Sequence, residues 1–166
     1  MKNDDALAKQ EIFELSCRYM RSLDRLDAEL RHTVFHDDAT VDYGFFKGSA
    51  REFVDFAQNA LKDHLANHHM LGQALIDVDG DRAAGEVYFQ AFHKIVEDGK
   101  EKDLFISGRY VDRYEKRGGV WKISFRAEVN DWSRTEPAAD NFLKAPTQSL
   151  VGARKPSDYS YGVLPW

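Results

Sequence analysis

Three polar residues that lie far apart in the sequence could together remove a proton from a carbon atom. Asp24 is predicted to end the first helix, His69 to begin a strand, and Arg126 to lie in the last strand. An imidazole accepts a proton near neutral pH, a carboxylate fixes its tautomer, and a guanidinium stabilises the resulting anion. Tyr19, five residues before Asp24, could donate a hydrogen bond to that anion. This set of groups needs neither a metal ion nor a cofactor.

The proposed pair also has ordinary structural explanations. Asp24 could pair on the surface with Arg21 or Arg25, and His69 could be a hydrogen-bonded histidine of the core. A carboxylate at a helix C-terminus is disfavoured by about 0.3–1 kcal/mol, so a compensating partner for Asp24 is expected. His68 competes with its neighbour for the catalytic position, because strand alternation sends the two side chains to opposite faces.

Alternation also leaves the direction of Arg126 open. In the strand pattern at 120–131, one face is polar and contains Arg126, whereas the other is apolar and contains Trp121 and Phe125. Periodicity alone would place the polar face in solvent. Tyr19 lies on the apolar stripe of the first helix. A tyrosine in such a position is about as often an ordinary core residue as a functional hydrogen-bond donor.

Apolar periodicity predicts helices in the first half of the chain and strands in the second. Helical spacing or capping residues, among them Ser49 as a helix N-cap, predict three helices, at 6–23, 27–34 and 49–64. A short strand is predicted at 39–44. Runs separated by glycine-containing turns predict four further strands, at 70–78, 82–96, 102–116 and 120–131. Hairpin-linked strands form an antiparallel sheet, so the sequence predicts an α+β fold with the helices on one side.

Size and charge exclude several classes of function. The 166 residues suffice for one domain, predicted at 1–132, and a net charge of -5 without a basic run argues against nucleic-acid binding. No apolar run approaches the roughly 18 residues that a membrane span requires. The lone Cys17 and the acidic start without an apolar signal core favour a cytoplasmic protein.

No metal or cofactor site is predicted. Two pairs of histidines stand four residues apart, His32 with His36 and His64 with His68, but neither has the further ligands of a zinc motif. Residues 133–166 contain all four prolines together with several aromatic residues. Proline prevents regular structure and aromatic side chains need a surface to cover, so this tail is predicted to pack on its own or a neighbouring subunit.

The order of the elements and several motifs resemble the nuclear transport factor 2-like superfamily and its SnoaL-like branch. The matching stretches are FHDDATVDY at 35–43, FKG at 46–48 and GRYVDRYEKRGGVWKI at 108–123. The resemblance covers residues 6–132. It implies a curved sheet wrapped around the N-terminal helices, a cystatin-like α+β barrel, with a conical cavity between them.

Within that branch the chain also resembles lyases, namely hexachlorocyclohexane dehydrochlorinases, scytalone dehydratases and bile-acid 7α-dehydratases. The resemblance implies an Asp–His pair at Asp24 and His69, with Tyr19 and an inward-facing Arg126 beside it. The second acidic residue of the bile-acid enzymes has no counterpart, because Ala91 stands near its position. The lyases further imply a homotrimer, or otherwise a homodimer.

Aromatic residues are abundant, with 11 Phe and 7 Tyr, which favours a small hydrophobic substrate, aromatic or polycyclic. The residues predicted to bind it are Tyr43, Phe53, Phe56, Tyr88, Phe92 and His93.

The leading hypothesis is a cofactor-free lyase or dehydratase. In this hypothesis His69, held by Asp24, removes a proton from carbon, and Arg126 and Tyr19 assist the anion or the leaving group. A ketosteroid-type isomerase or a cyclase would use the same groups and return the proton. The competing hypothesis is a non-catalytic subunit or ligand-binding module, such as the β subunit of a ring-hydroxylating dioxygenase, which needs no Asp–His pair.

Overall fold

The computed structural model describes residues 3–139 and 149–164. The helices are α1 (Asn3–Asp24), α2 (Ala28–Thr33), α3 (Ala50–Leu61) and α4 (Ser160–Val163). The strands are β1 (Phe35–Asp42), β2 (Lys47–Ser49), β3 (Ala66–Asp79), β4 (Arg82–Glu97), β5 (Lys100–Arg117) and β6 (Val120–Pro137). The predicted α+β class is confirmed. Strand β2 was not predicted, and β6 extends into the segment that was predicted to be tail.

The strands form one open, mixed sheet in the order β2-β1-β6-β5-β4-β3. Strands β3 to β6 pair antiparallel through successive hairpins, as the glycine-containing turns predicted. The predicted antiparallel arrangement therefore holds for these four strands, whereas β1 runs parallel to β6 and makes the whole sheet mixed. A parallel pair joins segments that are distant in the chain, and local alternation contains no sign of it.

The long helices cover one face of the sheet. α1 packs on β3 and β6, and α3 packs on β1. The apolar stripe of α1 is buried from Ala8 to Leu23, whereas Leu7 before it is exposed. The Ser49 hydroxyl caps α3 by accepting from the Glu52 amide at 3.2 Å. Burying each large apolar side chain contributes roughly 1.5–3 kcal/mol, so packing holds these helices on the sheet. Within the described part of the chain, no helix combines the length and apolar character needed to cross a membrane.

A bulge in β6 changes which of its residues face the helices. The register between β5 and β6 shifts at Ser124, so one additional residue lies on β6 there. Trp121 before the shift and Arg126 after it are both buried, whereas Phe125 is half-buried on the opposite face beside Arg113. The prediction that Trp121 and Arg126 lie on opposite faces was therefore wrong, because a bulge inverts the alternation.

The first residues of the predicted tail belong to β6, and its later described part, 149–164, lies over the end of α1 and the start of α2. Arg25 pairs with Asp158 at 2.7 Å, and Lys155 pairs with Asp27 at 3.0 Å. The remaining parts of the predicted tail, which include Phe142 and Trp166, lie outside the described residues, at 140–148 and 165–166.

Candidate active site

Asp24 and His69 form a hydrogen-bonded pair between the end of α1 and the start of β3. His69 Nδ1 donates to Asp24 Oδ1 at 2.7 Å, and the His69 backbone N–H donates to the two carboxylate oxygens at 3.0 and 3.2 Å. The His69 side chain is 6% exposed and that of Asp24 is 11% exposed. The prediction that the two lie within hydrogen-bond reach is confirmed. Because the carboxylate accepts the Nδ1 proton, the neutral ring presents its lone pair at Nε2.

The position of Asp24 at the C-terminus of α1 is compensated from two sides. The backbone and ring N–H groups of His69 bind its carboxylate, and Arg154 Nη1 donates to its carbonyl oxygen at 2.5 Å. A cation at this end of a helix is favourable. The alternative surface pairs are not formed, since Arg21 binds the Ser160 hydroxyl and Arg25 binds Asp158.

A cavity of about 150 Å³ lies beside His69, between the helices and the inner face of the sheet. Its wall is largely apolar and includes Leu23, Phe53, Phe56, Phe89, Ala91 and Ile106. Its polar groups are Tyr19, Tyr43, His69, His93, Tyr110 and Glu128. A few polar groups in an apolar enclosure are typical of a small-molecule site.

A larger groove lies elsewhere, at the ends of strands β3 to β5. It has a volume of about 620 Å³ and is lined by Asp38, Arg113 and Arg117 among others. Its charges pair with one another, since Arg117 binds Asp38 at 2.7 Å and Glu115 at 2.7 Å. We place the candidate site in the smaller cavity, because that cavity contains the buried Asp–His pair.

Three tyrosines supply neutral hydroxyl groups to the cavity. The hydroxyl oxygens of Tyr19 and Tyr43 are 2.8 Å apart and hydrogen-bonded. The Tyr43 ring stacks on Phe53 with centroids 3.9 Å apart, and the Tyr110 ring stacks on Phe89 at 4.7 Å. Burial raises the pKa of Tyr19, and raises the pKa values of Tyr43 and Tyr110 well above the ordinary value. These phenols therefore act as hydrogen-bond donors rather than as bases.

A second imidazole, that of His93 on β4, stands beside His69. The two rings are nearly perpendicular, with centroids 5.0 Å apart. Burial, followed by the neighbouring His69, His64 and Arg154, lowers the pKa of His93 to about 3. His93 Nδ1 lies 3.0 Å from the side-chain amide of Asn67. His93 is thus a neutral, hydrogen-bonded ring on the cavity wall.

Arg126 is buried, but it does not line the cavity. Its Nε and Nη2 donate to the two carboxylate oxygens of Asp112 at 2.9 and 2.7 Å. The guanidinium carbon lies 4.3 Å from the Tyr19 ring centroid and 3.9 Å from that of Tyr110. The prediction that Arg126 points into the cavity was wrong. A fully buried cation requires a counter-ion, and Asp112, directly opposite on β5, supplies it behind the tyrosine rings.

Two of the six predicted substrate-binding residues do not line the cavity. The four that do are Tyr43, Phe53, Phe56 and His93. Tyr88 and Phe92 lie on the outward face of β4, where Phe92 contacts Phe105. Phe89, which was missed, faces the cavity instead. The sequence already indicated this outward position. Residues two apart in a strand lie on the same face, so Tyr88 and Phe92 share the face of the polar residue Gln90.

Tyr110, Glu128 and Asp112 were also missed. Burial raises the pKa of the Glu128 carboxyl, which lines the cavity together with Tyr110. No sequence signal separated these residues from other polar positions on long strands. Across 3–139 and 149–164, no cluster of three or more His, Cys, Asp or Glu side chains is arranged to hold a metal ion.

The chain matches one protein family in sequence and shares its fold with solved structures. Residues 4–127 match the family described as "SnoaL-like domain". The uncharacterized protein Rv2910c of Mycobacterium tuberculosis is 28% identical over 123 residues, which span 72% of this chain and 82% of that protein.

Two solved structures share the architecture. Hexachlorocyclohexane dehydrochlorinase LinA-type3 of Novosphingobium barchaimii has a TM-score of 0.71 at 22% identity, covering 83% of this chain and 95% of the other. A Novosphingobium aromaticivorans protein, provisionally assigned as a scytalone dehydratase, has a TM-score of 0.70 at 20% identity, covering 81% and 91%. Identities this low establish the fold alone.

Proposed function

This chain belongs to the SnoaL-like domain family, and from that premise we propose that it is a cofactor-free lyase in which the Asp24–His69 pair removes a proton from carbon. One observation carries the proposal. The 2.7 Å hydrogen bond from His69 Nδ1 to Asp24 orients the ring and leaves Nε2 as an acceptor beside an apolar cavity. The resemblance of the fold to a dehydrochlorinase supports the same class of reaction.

The proposed reaction is an elimination. His69 Nε2 takes the proton of a carbon acid, and the electrons of the C–H bond form a double bond to the next carbon. The leaving group departs from that carbon with the electrons of its own bond. Asp24 stabilises the imidazolium that forms, as the orienting carboxylate does in hydrolase triads. A base in this position contributes typically about 10²–10⁴-fold to the rate.

The tyrosine pair is suited to the charge that develops on the substrate. If the acidic C–H is next to a carbonyl or a phenol-type ring, negative charge appears on oxygen as the proton leaves. Tyr43, whose hydroxyl is linked to that of Tyr19, can donate a hydrogen bond to this oxygen. A preorganised donor of this kind stabilises a transition state by about 2.7–4 kcal/mol. In this proposal Tyr43 replaces Arg126 in the role that the sequence suggested for Arg126 and Tyr19 together.

The size of the cavity narrows the substrate class. A volume of about 150 Å³ is well below the roughly 300–1,000 Å³ of sites for drug-sized ligands. Phe53, Phe56 and Phe89 supply flat apolar walls. We therefore propose a substrate with a single aromatic or alicyclic ring, in preference to a polycyclic one.

The experiment is a substrate panel. Single-ring compounds with a hydroxyl or halide one carbon away from an acidified C–H are incubated in D₂O with the wild-type protein and with Asp24→Asn. The proposal predicts that wild type forms an unsaturated product from at least one compound, and that Asp24→Asn forms it at least about 10²-fold more slowly because the tautomer is lost. Exchange of substrate C–H for deuterium without elimination would identify an isomerase or cyclase instead. Binding without exchange or elimination would identify a ligand-binding module.

A further inference from the structure

Arg154 connects the tail to the back of the candidate site. Its Nη1 donates to the carbonyl oxygens of Asp24 at 2.5 Å and of Leu23 at 3.5 Å, at the end of α1. Its Nη2 donates to the carbonyl oxygen of His64 at 3.4 Å. One side chain thus joins the last turn of α1 to the segment that precedes β3. These are the two parts of the chain that carry Asp24 and His69.

The same guanidinium determines how the Asn67 amide is oriented. Asn67 is buried near the start of β3. A guanidinium has only donors, so the amide oxygen of Asn67 faces Arg154, at 3.1 and 3.2 Å from Nη2 and Nη1. In this orientation the amide nitrogen lies 2.8 Å from the Ala66 carbonyl oxygen, 3.0 Å from His93 Nδ1 and 3.1 Å from His64 Nδ1. The two Nδ1 atoms are themselves 3.2 Å apart. The reverse orientation would set the amide NH₂ group against the guanidinium.

The Asn67 amide nitrogen in turn faces His93 Nδ1, the ring atom whose proton distinguishes the two neutral tautomers. We assign one proton of the Asn67 NH₂ group to His93 Nδ1, which makes Nδ1 an acceptor and puts the proton of the neutral ring on Nε2. His69 has the opposite arrangement, because Asp24 accepts the Nδ1 proton and leaves Nε2 as the acceptor. Both rings line the cavity. The cavity therefore has one acceptor imidazole and one donor imidazole, side by side.

We propose that Arg154 is a positioning residue which, through Asn67, holds His93 as a hydrogen-bond donor toward an oxygen atom of the substrate. This inference rests on the proposed function, because it assigns a role to the second imidazole of that site. It also narrows the substrate class. The compound that fits both rings has a hydroxyl or carbonyl oxygen within reach of His93 and an acidic C–H within reach of His69, which a purely halogenated hydrocarbon lacks.

The test measures the tautomer of His93 without any substrate. Two-dimensional ¹H–¹⁵N spectra of ¹⁵N-labelled protein near pH 7 distinguish Nδ1–H from Nε2–H, and His93→Gln assigns the signals. Wild type is expected to show Nε2–H. Arg154→Met removes the donors that orient Asn67 and is expected to shift His93 toward Nδ1–H. Arg154→Lys retains a donor and is expected to restore the wild-type tautomer.

Lys155→Met is the matched control. Lys155 also anchors the tail, because it binds Asp27 at 3.0 Å and Glu29 at 2.7 Å. Neither of these contacts involves Asn67. Lys155→Met is expected to leave the tautomer and turnover unchanged. With a substrate that is turned over, Arg154→Met is expected to lower kcat about tenfold and to change KM little, the effect of one misplaced hydrogen bond.

The outcomes separate this inference from the proposed function. Wild-type His93 with its proton on Nδ1, or an equal tautomer shift in Lys155→Met, overturns the role of Arg154 even if the lyase reaction is found. The spectrum of the wild-type protein alone already tests whether His93 carries its proton on Nε2. The proposal therefore stays testable even if a variant fails to fold. A protein that has the expected tautomers but processes no substrate overturns the proposed function and retains the positioning role.

Discussion

His69 and His93 lie with their ring centroids 5.0 Å apart, yet their hydrogen-bond partners give them opposite proton arrangements. Asp24 takes the Nδ1 proton of His69, whereas the Asn67 amide donates to Nδ1 of His93. Two like groups in different environments are a usual way to divide acceptor and donor roles in one site. At the scale of the residue, the hydrogen-bond partners Asp24 and Asn67 define the chemistry of the site as much as the two imidazoles do.

Arg126 gives a prediction at the same scale. Because its guanidinium neutralises Asp112 in a fully buried pair, Arg126→Met leaves an unpaired charge in the core. The expected loss is about 3–5 kcal/mol in the free energy of unfolding, measured by urea denaturation. Arg126→Met combined with Asp112→Asn removes both charges and is expected to recover much of this loss. A stable Arg126→Met protein that has lost activity would instead support the direct catalytic role predicted from the sequence.

At the scale of the element, periodicity and turn chemistry predicted most of the architecture. Helix α1 and strands β3 to β6 follow from apolar spacing and from glycine turns, and Gly80 and Gly118 adopt the positive φ that such turns require. The parallel pairing of β1 could not be predicted, because it joins distant segments. The bulge at Ser124 could not be predicted either, since alternation alone does not reveal an added residue.

The candidate site was predictable in part for the same reasons. Asp24 and His69 could be predicted because Asp24 ends a helix and His69 lies near the start of a strand. The resemblance to lyases places functional residues at the same two positions. Arg126 was misplaced because its partner Asp112 is on another strand and no local pattern links them. Tyr88 was misassigned because aromatic character was weighed above strand alternation.

Gly108 gives the prediction that belongs to this scale. It lies where the register between β5 and β6 shifts, and a Cβ atom there would overlap the carbonyl oxygen of Val129. Because the obstacle is backbone, Gly108→Ala is expected to destabilise the protein by about 1–3 kcal/mol in urea denaturation. Gly72→Ala is the matched control, because the nearest atom to a Cβ at that position would belong to the Tyr88 side chain, at 3.4 Å. It is expected to lower the free energy of unfolding less than Gly108→Ala does. Equal stability of the two variants would show that β5 and β6 are not held this closely.

The whole molecule has an apolar area on the outward face of its sheet. Met70 is 57% exposed and Trp132 is 50% exposed, and with Phe92 and Phe105 they line one shallow surface cavity. Exposed apolar patches of this kind mark protein–protein contacts. We expect a homotrimer, or otherwise a homodimer, and expect Trp132→Glu to dissociate it. Multi-angle light scattering at micromolar concentration measures this, and a wild-type monomer would contradict the expectation.

The most direct test of the proposed chemistry compares two adjacent histidines. His69 lines the cavity and binds Asp24, whereas His68 is exposed on the outward face of β3. On a substrate identified from the panel, His69→Ala is expected to lower kcat about 10²–10⁴-fold. His68→Ala is expected to remain within severalfold of wild type. Equal losses in the two variants, or a loss in His68→Ala alone, would contradict the assignment of His69 as the base.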